Sequence, residues 1–178
     1  MGMEIEVKAY AEDLKAVEAK IMEMGAEPTW EGEQNDTYYN HPQRDFAKTD
    51  EALRIRRERG RNSLTYKGPK VDEQSKTREE ILFSIENPDA AGNLLVKLGF
   101  TEAGRVKKQR KKFELGDLKI SLDRVEGLGD FVEIEALNAA ISKQDVSKMR
   151  DRIIALMDEL DLKRRERTSY LELLYPDI

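Results

Sequence analysis

The sequence predicts an α+β fold, a closed eight-stranded antiparallel β-barrel with helices packed outside. Eight segments show the two-residue alternation of half-buried strands, and three show the spacing of amphipathic helices. Several strands carry charged side chains on one face and aliphatic side chains on the other. A long antiparallel sheet tends to curl and close, and the helices cover its aliphatic face, so the charged face is expected to line the interior.

The first strand is predicted at residues 3–10, which alternate apolar and charged side chains. A helix follows, with apolar residues at helical spacing from Leu14 to Met24 and a C-terminal cap at Gly25. An antiparallel meander is predicted at residues 29–40, 52–59, 63–67 and 76–85. Residues 60–62 are its expected tight connection between the second and third of these strands.

A second helix is predicted after Asn87, a favourable N-cap followed by Pro88, and it ends before Gly99. The last three strands are predicted at residues 106–115, 118–125 and 131–137. Together with the preceding segments they complete eight strands.

The C-terminal part, about residues 142–175, is predicted to be helical. Ser142 and Asp145 form a candidate capping box for a long helix whose apolar stripe runs from Val146 to Leu160. A final short helix is predicted in the tail and is limited by Pro176. No low-complexity linker divides the chain, so residues 1–178 are expected to form a single domain, with the barrel at about 3–137.

Composition excludes several kinds of site. The 178 residues include no cysteine and one histidine, His41, which excludes disulfides, thiolate nucleophiles and any metal site that needs two histidines. The net charge of −5 disfavours bulk binding to nucleic acid or anionic lipid. No apolar run approaches the roughly 20 residues that span a bilayer, and a signal peptide is not recognisable, so a cytoplasmic protein is expected.

The charged strand faces carry both signs. Arg54 and Arg56 lie opposite Leu53 and Ile55, and Glu133 and Glu135 share one side of a later strand. For a single strand, a solvated face of an open sheet is the simpler explanation. In a closed barrel these charges face inward, where unpaired charge costs several kcal/mol. The interior is therefore predicted to bind a polyanion together with a divalent cation.

The residue types indicate the chemistry of that interior. Arg and Lys bind phosphate oxygens, whereas clustered carboxylates hold Mg²⁺ or Mn²⁺. The combination predicts metal-assisted phosphoryl or nucleotidyl transfer, in which positioning and electrostatics supply most of the catalysis. The sequence contains no P-loop that would offer another phosphate site.

Five motifs resemble a known family. Glu4-x-Glu6-x-Lys8 is similar to the ExExK signature of the CYTH family, whose fold is called the triphosphate tunnel. The motifs DFAKTDEALRIR at 45–56, LTYKGP at 64–69, TREE at 77–80 and GLGDFVEIE at 127–135 resemble the archaeal and bacterial class IV adenylyl cyclase branch. The similarity covers residues 3 to about 160.

The resemblance implies a set of site residues. The metal, Mg²⁺ or Mn²⁺, would be held by acidic wall residues: Glu4, Glu6, Glu80, Asp123, Glu133 and Glu135. The phosphate chain would be bound by basic residues: Lys8, Arg54, Arg56, Lys67, Arg78, Lys108 and Arg110. By family analogy Lys8 and Glu6 are the candidate catalytic residues, and in a triphosphatase Lys8 would orient or deprotonate the attacking water.

Three functions remain open from the sequence. The resemblance favours an enzyme that cyclises ATP to cyclic AMP and pyrophosphate, and a triphosphatase acting on inorganic or thiamine triphosphate would use the same interior. The third is a non-catalytic polyphosphate or nucleotide sensor, which the full acidic set disfavours because a passive anion binder needs no metal. The expected partner is a triphosphate-bearing small molecule, with a possible homodimer and neither nucleic acid nor membrane.

Overall fold

The computed structural model describes residues 2–70, 78–136 and 143–176, with side chains for 5–70, 78–136 and 146–176. The strands are β1 (Gly2–Glu4), β2 (Glu6–Tyr10), β3 (Glu27–Asn40), β4 (Ala52–Glu58), β5 (Arg61–Lys67), β6 (Arg78–Ile85), β7 (Thr101–Leu115), β8 (Leu118–Val125) and β9 (Gly129–Ala136). The helices are α1 (Leu14–Glu23), α2 (Phe46–Thr49), α3 (Pro88–Lys97), α4 (Lys143–Glu159) and α5 (Tyr170–Leu174). In this part of the chain, no helix is both long and apolar enough to cross a membrane.

The nine strands of the described residues belong to one antiparallel sheet in the order β1-β6-β5-β4-β3-β7-β8-β9-β2. The two outermost strands, β1 and β2, are consecutive parts of the predicted first strand and are separated by Ile5 alone. Because β1 pairs with β6 while β2 pairs with β9, the sheet must curl until its two ends approach each other. The predicted α+β architecture with a curled antiparallel sheet is thus confirmed, with the first strand divided in two.

The helices cover the aliphatic face of the sheet. In the largest core cluster, Ile120 of β8 and Ile134 of β9 pack in one group with Ile153 and Met157 of α4. A second cluster joins Leu53 and Ile55 of β4 to Leu95 of α3. Since side chains alternate along a strand, the charged residues between these aliphatic ones face the opposite side, as the sequence predicts.

Side chains cap the N-termini of α1 and α3, and the cap at Asn87 confirms the prediction. Asp13 accepts hydrogen bonds from the backbone N–H groups of Lys15 and Ala16, at 2.9 and 3.2 Å, and so begins α1. Asn87 accepts from the N–H of Ala90 at 2.9 Å and begins α3. The candidate cap at Ser142 and Asp145 lies outside the residues whose side chains are described, as do the predicted strand ends at residues 76–77 and 137.

Several boundaries differ from the prediction. The turn between β4 and β5 lies at Arg59 and Gly60, and Arg61 already belongs to β5, because the left-handed φ of +84° at Gly60 reverses the chain within two residues. Strand β7 starts at Thr101 rather than 106, since Thr101 pairs with Asn40 of the long β3. Helix α2 was not predicted; it is a single turn, too short to show a periodic pattern.

The C-terminal tail runs along β2 before forming the predicted short helix α5. The N–H of Tyr10 donates to the carbonyl of Arg164 at 3.0 Å, and the N–H of Glu166 donates to the carbonyl of Lys8 at 2.8 Å. Arg165 forms a β-bridge with Ala9. The tail therefore covers the edge of β2 that faces away from β9.

A charged cavity as the candidate functional site

A cavity of about 910 Å³ lies on the charged face of the sheet. Most of the predicted site residues line it: Glu6, Arg54, Arg56, Lys67, Arg78, Glu80, Lys108, Arg110, Glu133 and Glu135. These residues come from strands distributed around the sheet, so the curl brings their side chains to one space. The charged faces of these strands therefore line one cavity.

A buried carboxylate on β3, Asp36, organises one wall of the cavity. Arg56 donates to both of its oxygens, Nε to Oδ1 and Nη2 to Oδ2, each at 2.7 Å. Arg54 Nη1 lies 3.5 Å from Oδ2. Burial alone would raise the pKa of Asp36, but the two guanidinium groups outweigh it and hold the pKa below its ordinary value. Asp36 therefore remains ionised and fixes the two arginines side by side.

A second charged cluster, around Asp123, lies on the neighbouring strands β7, β8 and β9. Arg110 Nε donates to Asp123 Oδ1 at 2.5 Å, and Arg110 Nη2 contacts both Asp123 and Glu133. Lys108 Nζ lies 3.6 Å from Asp123 Oδ2. Burial, assisted by repulsion from Arg110, lowers the pKa of Lys108 to about 8, against the opposing attraction of Asp123. The buried cations of β7 are thus held by carboxylates of β8 and β9.

Two arginines of the cavity retain unused donors. The buried Nε atoms of Arg54 and Arg78 have no hydrogen-bond acceptor within the described part of the chain. Among the described residues, Arg78 Nη1 donates to the carbonyl of Gly68, at 3.5 Å. Leaving a buried donor unsatisfied is costly. These groups are therefore suited to an anionic ligand that supplies acceptor oxygens.

The remaining acidic residues line the cavity in cross-strand pairs. Glu6 of β2 lies directly opposite Glu135 of β9, and Glu133 is two residues further along the same strand face. Lys119 Nζ is 3.2 Å from Glu135, and Lys67 Nζ is 3.3 Å from Glu80. Within the described ranges, no three carboxylate or histidine side chains are grouped closely enough to hold a metal ion by themselves.

Three predicted site residues lie elsewhere or are incompletely described. Lys8 is 1% exposed and is absent from the cavity lining; its Nζ donates to the carbonyl of Thr168 at 2.5 Å. Asp123 is fully buried behind the wall and hydrogen-bonded to Arg110. The backbone of Glu4 pairs with Arg78 in the sheet, whereas its side chain is outside the described residues.

The structure also adds residues that the sequence analysis did not select. Asp36 faces Arg56 across β3 and β4, a pairing that only the register reveals. The tail contributes Ser169, Tyr170 and Glu172 to the cavity lining. No local pattern predicts that Tyr170 enters the site, because its hydroxyl contacts Asp123 of β8, which is 47 residues away in the chain.

The comparisons with known proteins agree on one family. A family model described as the CYTH domain matches residues 2–170. A protein of Methanocaldococcus jannaschii named "putative adenylate cyclase" is 39% identical over 173 residues, which cover 96% of this chain and 98% of that protein. An Aeromonas hydrophila protein named adenylate cyclase CyaB is 28% identical over 134 residues, which cover 74% of this chain and 67% of that protein.

A solved structure has the same fold. The PH1819 protein of Pyrococcus horikoshii OT3 superposes with a TM-score of 0.89 at 43% sequence identity. The alignment covers 98% of this chain and 99% of that one.

Proposed function

The chain belongs to the CYTH domain family, and from that premise we propose that it is a divalent-metal-dependent enzyme acting on a triphosphate substrate in the charged cavity. The proposed reaction is that of a class IV adenylyl cyclase, which converts ATP to cyclic AMP and pyrophosphate. The names of the two adenylate cyclase relatives support this choice. The observation that carries the proposal is the convergence of buried cations, with unused donors, on one cavity.

The cationic wall suits a phosphate chain. Arg54 and Arg56 on β4 are held side by side by Asp36, and Arg78 on β6 lines the same cavity. Guanidinium groups bind phosphate oxygens through paired N–H donors. The Nε donors of Arg54 and Arg78 would gain the acceptors that the protein does not supply. We therefore assign the triphosphate grip to this wall, together with Lys67, Lys108 and Arg110.

A closed tunnel is part of the proposal. The two ends of the sheet, β1 and β2, are joined through Ile5, so that strands β6 and β9 flank one continuous segment. Residues 164–166 of the tail pair with the edge of β2 to which β6 does not extend. Closure would exclude water from the reacting phosphates and strengthen every charge interaction inside.

The acidic residues fit a metal that arrives with its substrate. Mg²⁺ is commonly bound through one or two carboxylates plus phosphate oxygens, so a complete protein cage is not required. Glu6 and Glu135 are cross-strand partners on the cavity face, with Glu133 beside them. We assign the metal to these three residues. When bound, the metal would neutralise phosphate charge and polarise the phosphoryl group whose phosphorus is attacked.

Two other predicted metal ligands pair with cations, as Glu133 and Glu135 also do, but they do not belong to the group on β2 and β9. Asp123 is bound by Arg110 and Lys108, and Glu80 pairs with Lys67. In the proposed site these carboxylates therefore orient the basic residues. A metal-ligating role for Glu4, Glu80 and Asp123 stays a prediction from the family resemblance.

The chain's own residues would perform three tasks. The arginines hold the β- and γ-phosphates, which leave together as pyrophosphate. Lys108 and Arg110, from β7, stabilise charge that develops on the α-phosphate oxygens. The proton of the attacking ribose hydroxyl must be accepted by a basic group, and Lys8 and Glu6 are the candidate catalytic residues that the family resemblance implies. Of these two, Glu6 lines the cavity.

Product analysis tests the proposal. The purified protein is incubated with Mg²⁺ or Mn²⁺ and, separately, with ATP, tripolyphosphate and thiamine triphosphate, and cyclic AMP, pyrophosphate and orthophosphate are measured. Cyclic AMP with equal pyrophosphate is expected, and Arg56→Ala should reduce it strongly. Arg124→Ala is the matched control, because Arg124 is exposed and paired with Asp130 away from the cavity.

Other products would redirect the assignment. Orthophosphate as the sole product would make the protein a triphosphatase. Binding of a triphosphate with no turnover would make it a sensor, and the absence of both binding and turnover would refute the proposed site.

A further inference from the structure

Tyr170, the first residue of α5, enters the candidate site from the tail. Its side chain lines the cavity while the residue remains only 5% exposed. The hydroxyl donates to Asp123 Oδ2 at 2.8 Å. Lys8 Nζ lies 4.1 Å from the ring centroid, and Lys108 Nζ lies 4.8 Å from it. One tyrosine therefore contacts a carboxylate from β8 and two ammonium groups from β2 and β7.

The surrounding structure holds this ring in place. The ring of Phe131 packs against it edge to face, with centroids 5.0 Å apart. Ser169 caps α5 by accepting a hydrogen bond from the N–H of Glu172 at 3.2 Å. Two residues before Tyr170, the carbonyl of Thr168 accepts from Lys8 Nζ. The backbone and the ring of the tail thus contact the same lysine.

The ring of Tyr170 lowers the electrostatic cost of burying Lys8 and Lys108 beside it. Two ammonium groups close together repel each other, and each loses hydration when buried. The face of an aromatic ring carries negative charge density and attracts cations, most strongly where water is excluded. Tyr170 offers that density to both lysines at once, while its hydroxyl bond to Asp123 fixes the orientation of the ring.

We propose that Tyr170 is a positioning residue of the triphosphate site, which holds the ammonium groups of Lys8 and Lys108 through its ring and Asp123 through its hydroxyl. The proposal rests on the proposed function, since it assumes that the cavity binds a triphosphate. Neither the motifs nor the charge pattern of the strands includes Tyr170. Its position in the tail means that the C-terminal segment completes a site otherwise built from the sheet.

The test separates the ring from the hydroxyl. Tyr170→Phe removes only the hydroxyl, Tyr170→Leu removes the ring, and pentafluorophenylalanine at position 170 keeps the ring shape but abolishes its negative face. Binding of tripolyphosphate is measured by calorimetry, in EDTA and in Mg²⁺, below the melting temperature of each variant. The leucine and fluorinated variants are expected to lose about tenfold or more in affinity under both conditions, and Tyr170→Phe to stay within about threefold.

Leu174→Ala is the matched control. Leu174 lies on the same helix and packs against the same apolar cluster as Tyr170, but it does not line the cavity. This variant should lose stability and keep wild-type affinity. If the leucine variant does not fold, the fluorinated variant, which preserves the shape, decides the question.

Equal affinity for tripolyphosphate in the fluorinated and phenylalanine variants would overturn the positioning role. That result, with tight binding in the wild type, would leave the proposed function intact. Failure of the wild-type protein to bind tripolyphosphate would instead refute the proposed function itself.

Discussion

Replacing Asp36 by asparagine should destabilise the free protein and make its stability unusually responsive to triphosphate. The carboxylate accepts two hydrogen bonds of 2.7 Å from Arg56 and lies 3.5 Å from Arg54, at a site only 2% exposed. Removing one partner of a buried ion pair costs about 3–5 kcal/mol. For a chain of this size that corresponds to a fall in melting temperature of about 6–20 °C.

The same substitution frees two cations for a bound anion. Tripolyphosphate should therefore raise the melting temperature of Asp36→Asn by more degrees than that of the wild type, because the ligand replaces the missing negative charge. Differential scanning calorimetry, with and without tripolyphosphate, measures both effects. Asn preserves the shape of Asp, so the change isolates the charge.

Asp130→Asn is the control for this experiment. Asp130 pairs with Arg124 at 3.0 Å, but the Arg124 side chain is 71% exposed, and such pairs contribute about 1 kcal/mol or less. If Asp36→Asn were as stable as Asp130→Asn and gained no more from tripolyphosphate, the assignment of Asp36 as the organiser of the arginine wall would be wrong.

Other predictions address the metal, the phosphate grip, acid stability and the tail. Glu6→Ala should abolish metal-dependent turnover but leave tripolyphosphate binding in EDTA intact. Arg56→Ala should weaken that binding about 10- to 100-fold. Small, equal effects of the two substitutions would contradict the assignment of Glu6 to the metal and Arg56 to the phosphate chain. The hydrogen bond from Arg44 lowers the pKa of Glu51 from 4.5 to about 2. The negative charge of Glu51 therefore stabilises the fold fully above about pH 4.5, and this stabilisation is lost as the pH falls towards 2. Glu51→Gln should flatten the decline in melting temperature over that range, and an unchanged slope would refute the assignment. A Cβ at Gly104 would lie 2.8 Å from side-chain atoms of Leu171 and Tyr175. Gly104→Ala should therefore displace α5 and speed the hydrogen exchange of its backbone amides. Gly68→Ala is the control and should have no such effect, because the nearest atom to its Cβ would be 3.7 Å away.

Much of the fold could be predicted because strand alternation is a local signal. In β4 the sequence alone separates Leu53 and Ile55 from Arg54 and Arg56, and the structure places the first pair in the core and the second pair in the cavity. The break of the first strand at Ile5 could not be predicted, since it depends on β1 and β2 pairing with different neighbours.

The missed residues of the site depend on contacts that no local pattern carries. Asp36 lies in a polar run of β3, where alternation is weak, and its importance appears only when register places it opposite Arg56. The hydrogen bond of Tyr170 to Asp123 joins residues 47 positions apart, and that of Lys8 to Thr168 joins residues 160 positions apart. The family resemblance could indicate the charged strands, but not how the tail engages them.

The central claim is that one cavity binds a triphosphate and a divalent cation together. Thermal unfolding with Mg²⁺ alone, tripolyphosphate alone and both together tests it most directly. The two ligands together are expected to raise the melting temperature by more than the sum of their separate effects, and Glu6→Ala should remove this excess. Additive or absent shifts in the wild-type protein would contradict a shared site.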